Sequence, residues 1–257
     1  MRTVSAIKNI NSTLIVYGLN MVLQFIIRFV LLYYLSIEYL GLNGLFDNIL
    51  TVLSLTELGI GPAIIFSLYS PLANHDLETA KSIMRIFKKA YIYIGTLILF
   101  LGLCISPFVQ YLIKVPPNIA YLNIFFLLFV VDTGISYFYS YKKCLLIADQ
   151  KQYIANYYRG ITQLIGSLFQ IALVILTHSF WVYIILRICM TFSENFLIAR
   201  KADHLYSFLN EKNIKPLNKD IYQNIIRNIK ALILHKIGGV TVFGTSNIIL
   251  SIGELKT

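Results

Sequence analysis

Long apolar runs constrain the fold of this chain more than any other feature of its sequence. A helix that crosses a membrane needs about 20 predominantly apolar residues. The runs that meet this requirement lie roughly at 13–35, 44–69, 90–111, 119–140, 154–176, 180–198 and 231–251. Only 13% of the residues are charged, whereas about a quarter of a soluble domain is charged. We therefore expect an all-α integral membrane protein with a six-helix N-terminal lobe and one further transmembrane helix.

Basic residues concentrate in every second connection between these runs. The connections rich in Lys and Arg are 1–12, 70–89, 141–153 and 199–230. Because cytoplasmic loops carry the excess of Lys and Arg, this pattern predicts a cytoplasmic N-terminus. The chain then divides into an N-terminal transmembrane lobe at 1–198, a cytoplasmic basic linker at 199–230, and a seventh transmembrane helix with a short tail at 231–257.

The linker is expected to contain an amphipathic helix that lies at the membrane surface. Ile221, Ile225, Ile226 and Ile229 recur at helical spacing, so they share one face of such a helix. Basic side chains on the same segment would then approach the lipid headgroups. An ordinary basic loop is the alternative.

Several classes of function are disfavoured by what the sequence contains. The formal net charge is +10, but apolar runs separate the basic residues, so no nucleic-acid partner is expected. Cys104, Cys144 and Cys189 are too widely spaced for a zinc motif, and the histidines are scattered. No phosphate-binding loop or nucleophile motif occurs. We expect no enzyme activity, no catalytic residue, no cofactor and no metal.

Polar side chains recur at helical spacing inside five of the apolar runs. A charge at the centre of a membrane is costly, so such residues face a protein interior or a hydrated cavity. The pattern therefore predicts a charged cavity shared by the bundle. These polar stripes are Tyr17, Asn20, Gln24 and Arg28; Asp47, Thr51, Ser54 and Gly61; Asp132, Ser136 and Tyr139; Arg159, Gln163, Ser167 and Gln170; and Arg187, Thr191 and Glu194.

Three arginines in these stripes are candidate substrate-binding residues. Arg28 and Arg187 lie at similar predicted depths, and two guanidinium groups can clamp a diphosphate. Arg159 lies nearer the cytoplasmic side and would contact the same anion earlier. The polar residues expected to assist them are Asn20, Gln24 and Gln163. The alternative is internal pairing, with Arg28 neutralised by Asp47 or Glu57 and Arg187 neutralised by Glu194.

A further candidate element is the stretch from Glu57 to Asp76, in which an acid precedes a helix-breaking sequence. Gly59, Gly61 and Pro62 follow Glu57 within two helical turns. A buried acid beside a breakable helix suits a gating or ion-coupling role. Two further carboxylates, Asp47 and Asp132, are candidates for the same role. A kinked packing helix, and a structural acid at Asp132, are the alternatives.

Three segments resemble one family of transporters. They are GLNGLFDNILTVLSLTELGIGPAIIFSLYSPLANHD at 41–76, SYFYSYKKCLLIADQKQYI at 136–154, and NIKALILHKIGGVTVFGTSNIILS at 228–251. These segments are similar to polysaccharide-biosynthesis flippases, which handle lipid-linked oligosaccharides. That family is part of the multidrug/oligosaccharidyl-lipid/polysaccharide exporter superfamily. The resemblance covers nearly the whole chain.

The resemblance implies two six-helix lobes around a central cationic cavity. Alternating access would move a polyprenyl-diphosphate-linked oligosaccharide across the bacterial cytoplasmic membrane for capsule or exopolysaccharide export. The implied partners are the lipid bilayer, this substrate, a polysaccharide polymerase, glycosyltransferases and a separately encoded second lobe. Because the family continues through further helices, the chain is expected to be truncated after the seventh helix.

Three other functions remain open from the sequence. The first is a chain that does not transport, as an inactive fragment or as a scaffold of a polysaccharide assembly complex. A multidrug exporter of the same superfamily would bind cations, against which the intramembrane arginines argue. A membrane glycosyltransferase or polymerase would require larger extracytoplasmic loops than those between the runs.

Overall fold

The fold is entirely helical in the part of the chain that the structure describes. This structure is a computed structural model, and it covers residues 2–54, 57, 59–112, 119, 121–211, 215–232 and 234. The helices are α1 (Arg2–Tyr34), α2 (Ile37–Ser54), α3 (Ile60–Ala73), α4 (Leu77–Ile105), α5 (Leu122–Ala148), α6 (Gln152–Thr177), α7 (Phe180–Leu205) and α8 (219–232), with short 3-10 helices at Ser106–Leu112 and Ser207–Asn210. The predicted all-α class is confirmed for these residues.

Five of these helices are long and apolar enough to cross a membrane, by length and composition. They are α1, α4 with the 3-10 turn that follows it, α5, α6 and α7. The 29 residues of α4 span about 44 Å, which exceeds the roughly 30 Å of bilayer hydrocarbon. Large apolar side chains such as Phe25 and Phe29 are exposed on the bundle, as expected where lipid is the solvent. These are features of a membrane-embedded protein.

The predicted span at 44–69 is divided into two shorter helices. α2 ends at Ser54 and α3 begins at Ile60, after Gly59 adopts a left-handed φ of 88°. Pro62 lies in the first turn of α3, where its missing N–H has no helical partner to lose. The left-handed conformation of Gly59 therefore interrupts the helix, and Pro62 is accommodated in the first turn of α3.

Other boundaries also differ from those predicted. α4 begins at Leu77, so the basic residues assigned to a connection at 70–89 lie largely on a helix. Asp76 caps this helix by accepting a hydrogen bond from the backbone N–H of Thr79 at 3.0 Å. The predicted lobe boundary at 198 falls inside α7, which continues to Leu205. Of the seventh span, predicted at 231–251, only residues 231, 232 and 234 are described, and the rest lies outside the described residues.

α5 is the central packing element of the bundle. It packs against α3, α4 and α7, while α6 bridges α1 and α7. Gly102 of α4 permits close approach to α5, because a Cβ there would lie 2.3 Å from a methyl group of Val130. Small residues at such contacts are a common means of bringing membrane helices together.

The linker helix α8 packs on the protein. Ile225 is 3% exposed within a core cluster to which α3, α4, α5, α6 and α7 all contribute, and Ile221 and Ile229 pack against the same cluster. The bundle therefore covers the part of the predicted apolar face formed by Ile221, Ile225 and Ile229. Two hydrogen-bonded contacts hold the preceding linker segment, from Lys81 to Glu211 at 2.7 Å and from Ser82 Oγ to the carbonyl of Lys215 at 2.7 Å.

Candidate functional site

A polar cavity of about 230 Å³ lies among α1, α2, α5, α6 and α7. Residues from each of the five predicted polar stripes meet at its wall. Its charged and polar lining residues are Gln24, Arg28, Asn43, Asp47, Asp132, Gln163, Gln170, Tyr183, Arg187 and Thr191. Six of the residues singled out as binding or coupling candidates are thus brought together by the fold. Asn20, Arg159 and Glu57 do not line this cavity.

Arg187 lines the cavity and binds two carboxylates. Its Nη2 donates to Asp47 Oδ1 at 2.7 Å, and its Nε donates to Asp132 Oδ2 at 2.8 Å. Nη1 donates to Asn43 Oδ1 at 3.2 Å, and the guanidinium lies over the ring of Phe129. Charge-assisted bonds of this kind are about twice as strong as neutral ones. The internal pair predicted between Arg187 and Glu194 is therefore wrong, as is the assignment of Asp47 to Arg28.

Asp132 is the most buried charged group in this network. Its side chain is 7% exposed, and its Oδ1 accepts no hydrogen bond from the described residues. A buried acceptor without a donor costs about 1–3 kcal/mol, and more when it is charged. A hydrogen-bond donor or a cation bound at this oxygen would remove that cost. Oδ1 of Asp132 is consequently the most favourable position in the cavity for either.

Arg28 lines the same cavity from α1, one turn beyond Gln24. No carboxylate of the described residues lies within ion-pairing distance of it. The guanidinium of Arg28 is also exposed, so a ligand anion can reach it without displacing an internal partner. Because Arg28 and Arg187 face Asp47 and Asp132, the formal charges of the described lining cancel. This differs from the cationic cavity that the resemblance implied.

Arg159 belongs to a second charged cluster on α5, α6 and α7. Its Nε lies 4.0 Å from Glu194 Oε1, and Lys143 Nζ lies 4.0 Å from the same oxygen. The Nε of Arg159 is buried without a hydrogen-bond partner among the described residues. Gln163 connects the two groups, since it lines the cavity and its Nε2 is 3.4 Å from Glu194 Oε2. This cluster carries two cations and one acid.

Glu57 lies at the break between α2 and α3, apart from the cavity. Its Oε1 accepts a hydrogen bond from the hydroxyl of Tyr91 at 2.8 Å. A Cβ on Gly61 would lie 3.1 Å from that hydroxyl and 3.2 Å from the carboxylate. The absence of a side chain at Gly61 therefore makes room for this bond. Glu57, Gly59, Gly61 and Pro62 together form the hinge-like break.

Two residues that line the cavity, Asn43 and Tyr183, were not predicted as cavity residues from the sequence. Asn43 lies four residues before Asp47 on α2, so it shares a face with a predicted stripe, but the predicted span began after it. Tyr183 occurs near a helix end, where a tyrosine is typical of an interfacial aromatic belt. In the structure it is buried, and its hydroxyl donates to Asn43 Oδ1 at 3.0 Å. Its position four residues before Arg187 was the available signal.

Within the described residues, no group of three or more His, Cys, Asp or Glu side chains is placed to hold a metal ion. Comparison of the chain with protein-family models, with curated proteins and with solved structures found no match. A functional assignment therefore depends on the cavity and on its charged groups.

Proposed function

We propose that the chain forms one lobe of a membrane transporter that moves a polyprenyl-diphosphate-linked oligosaccharide across the bacterial cytoplasmic membrane. The observation that supports this proposal is a charged cavity inside an apolar helical bundle, with Arg28 at its wall and free of any described carboxylate. An unpaired guanidinium at membrane depth is costly, and such groups commonly mark a substrate pathway.

The diphosphate would meet Arg28 first and then compete with carboxylates for Arg187. A phosphate oxygen and a carboxylate oxygen bind a guanidinium edge in the same way. A proton or a monovalent cation on Asp132 would weaken its hold on Arg187 and so favour the ligand. Asp47 and Asp132 are therefore the coupling residues of this proposal, and the break at Gly59 to Pro62 is the site of gating.

The cavity volume limits what this lobe can hold by itself. Its roughly 230 Å³ is below the range of about 300–1,000 Å³ usual for drug-sized ligands. It suits a diphosphate group and leaves the sugars outside. The sugars would then occupy space completed by a second lobe, as in other transporters that bind between two repeats.

Binding of a polyprenyl diphosphate to the full chain in lipid nanodiscs tests the first step. With farnesyl diphosphate as the probe, we expect Arg28→Ala to weaken binding about tenfold, the effect of losing roughly 1.5 kcal/mol from a charged hydrogen bond. Arg200→Ala is the matched control, because Arg200 is an exposed arginine stacked on Phe196 away from the cavity. Equal affinities for both variants would exclude Arg28 from the site.

Leaflet translocation of a fluorescent polyprenyl-diphosphate sugar in proteoliposomes tests transport itself. Flipping by the unmodified chain that Arg28→Ala abolishes would support a working pathway in this lobe, alone or as a dimer. Binding without flipping would indicate that a second lobe is required, or that the chain acts as a non-transporting scaffold.

A multidrug exporter is the second candidate, and the carboxylates of the cavity favour it. The formal charges of the described lining cancel, and Oδ1 of Asp132 accepts no hydrogen bond from the described residues, so this oxygen can face an organic cation. Tetraphenylphosphonium binding that Asp132→Asn removes and Arg28→Ala leaves unchanged would support this candidate over the flippase.

A further inference from the structure

A second cavity of about 370 Å³ lies at the start of α4, and basic residues dominate its wall. Lys81, Arg85 and Lys88 occur at helical spacing on one face of α4, and Lys89 lies beside them. The opposite wall is formed by Tyr141 and Lys142 of α5, Asp203 of α7, and the segment from Leu209 to Glu211. No residue is shared with the cavity around Arg187.

Internal ion pairs occupy both acids of this basic cavity. Glu211 Oε2 lies 2.7 Å from Lys81 Nζ, and Lys81 also binds Glu78 at 2.7 Å. Asp203 Oδ2 lies 2.6 Å from Lys142 Nζ. The carboxylates that line the wall are therefore already neutralised by the two least exposed lysines.

Three cations of the cavity remain available to a ligand. Arg85, Lys88 and Lys89 are exposed and form no ion pair with any residue in the described ranges. Like charges concentrated on one concave wall raise the local concentration of anions. The cavity thus selects for a compact anion with several oxygen acceptors, which is the chemistry of a phosphate group.

The apolar neighbours of the cavity distinguish a lipid phosphate from a soluble one. Ile92 lies one turn beyond Lys88 and Lys89, lines the cavity and is 42% exposed. The apolar part of α4 begins at the same level, since its sequence from Ala90 to Ile105 contains no charge. A phosphate bound by the lysines would therefore have acyl chains beside an exposed apolar helix surface. A free phosphate would gain nothing from that surface.

We propose that this basic cavity binds the headgroup of an anionic phospholipid. Arg85, Lys88 and Lys89 contact the phosphate, and the acyl chains follow α4 past Ile92. Basic pockets at the ends of transmembrane helices are suited to this role. The site is independent of the proposed transport function, because its residues are separate from the substrate cavity.

Native mass spectrometry of the full chain, released from micelles that contain defined lipids, tests the proposal. We expect phosphatidylglycerol to be retained in preference to phosphatidylcholine. The double variant Arg85→Gln/Lys88→Gln should retain phosphatidylglycerol about 30-fold less well, from the loss of two phosphate-facing cations. The control Arg227→Gln/Lys230→Gln removes two cations from α8, which does not line the cavity, and should retain the lipid as the unmodified chain does.

Two further arms make the outcome decisive. Arg85→Lys/Lys88→Arg keeps both charges and should retain phosphatidylglycerol as the unmodified chain does. That result would show that the glutamine variant loses the lipid because it lacks the two charges, not because it is misfolded. Inorganic phosphate and ATP are added as soluble competitors at millimolar concentration. Displacement of phosphatidylglycerol by either would assign the site to a soluble phosphate and overturn the lipid proposal, as would equal lipid loss in the cavity and control variants.

Discussion

Arg187 binds Asp47 through one edge of its guanidinium group and Asp132 through another. The two acids come from α2 and α5, so a single side chain of α7 ties three helices together. Asp132 is almost fully buried, whereas the Asp47 side chain is 43% exposed. The ion pair with Asp132 therefore contributes more to the interaction energy of Arg187 than the ion pair with Asp47. A ligand anion can replace Asp47 more readily than Asp132.

Replacing Arg187 should leave Asp132 buried without its partner. We expect Arg187→Ala to destabilise the protein by about 3 kcal/mol, the low end for breaking a buried pair because Asp47 is partly solvated. Thermal unfolding in detergent micelles measures this loss. Adding Asp132→Asn to the same chain should recover much of the stability, since the uncompensated charge is then absent. Equal and additive losses from the two substitutions would show that the pair is not coupled.

The break between α2 and α3 is a property of an element rather than of one residue. Gly59 adopts the left-handed conformation that interrupts the helix. The missing side chain of Gly61 leaves room for the hydrogen bond that Glu57 accepts from Tyr91. α8 closes the same region from outside, because a Cβ on Gly59 would lie 2.7 Å from the Cβ of Leu232. The break is therefore held by α4 on one side and by α8 on the other.

Gly59→Ala should destabilise this element, whereas Gly41→Ala should not. An alanine at a φ of 88° costs about 1–2 kcal/mol from the backbone alone, and the contact with Leu232 adds to this. Gly41 lies within α2 with nothing within 4 Å of its Cβ position, so alanine there should be neutral or stabilising by up to about 1 kcal/mol. Unfolding midpoints of the two variants provide the comparison. A Gly59→Ala protein as stable as Gly41→Ala would contradict the assigned strain.

Two groups of contacts, one polar and one apolar, bind the linker to the helical bundle. The ion pair from Lys81 to Glu211 and the bond from Ser82 to Lys215 fix its first part. The apolar face of α8 fixes its second part through Ile225. The linker is therefore attached to α4 through polar contacts and to the bundle core through an apolar face.

Ile225→Ala should release α8 without unfolding the bundle. Removing a buried isoleucine side chain costs about 2–5 kcal/mol, and here the cost falls on the docking of one helix. Hydrogen–deuterium exchange should show faster exchange in 219–232 and little change in α5. Ile226→Ala is the control, because Ile226 is only partly buried and lies outside the core cluster. Uniformly faster exchange across all helices would mean that Ile225 supports the whole fold instead.

The helical class, the apolar segments and the polar stripes could all be predicted from the sequence. These follow from local quantities, because hydropathy and a period of 3.6 residues are readable along one chain. Gln24, Arg28, Gln163 and Arg187 were predicted to share a cavity on that basis, and the structure places all four at one wall. Periodicity specifies which residues lie on the same face of a helix, so it also specified which faces needed a polar neighbour.

Which charges pair depends instead on how the helices pack against one another. Periodicity says nothing of the rotation or depth of one helix relative to the next, and shifts of a few ångströms exchange one carboxylate for another. Arg187 therefore binds Asp47 and Asp132, while Glu194 lies beside Arg159 and Lys143. The docking of α8 was likewise beyond local patterns, because periodicity gives the shared apolar face of Ile221, Ile225 and Ile229 but not the surface that covers it.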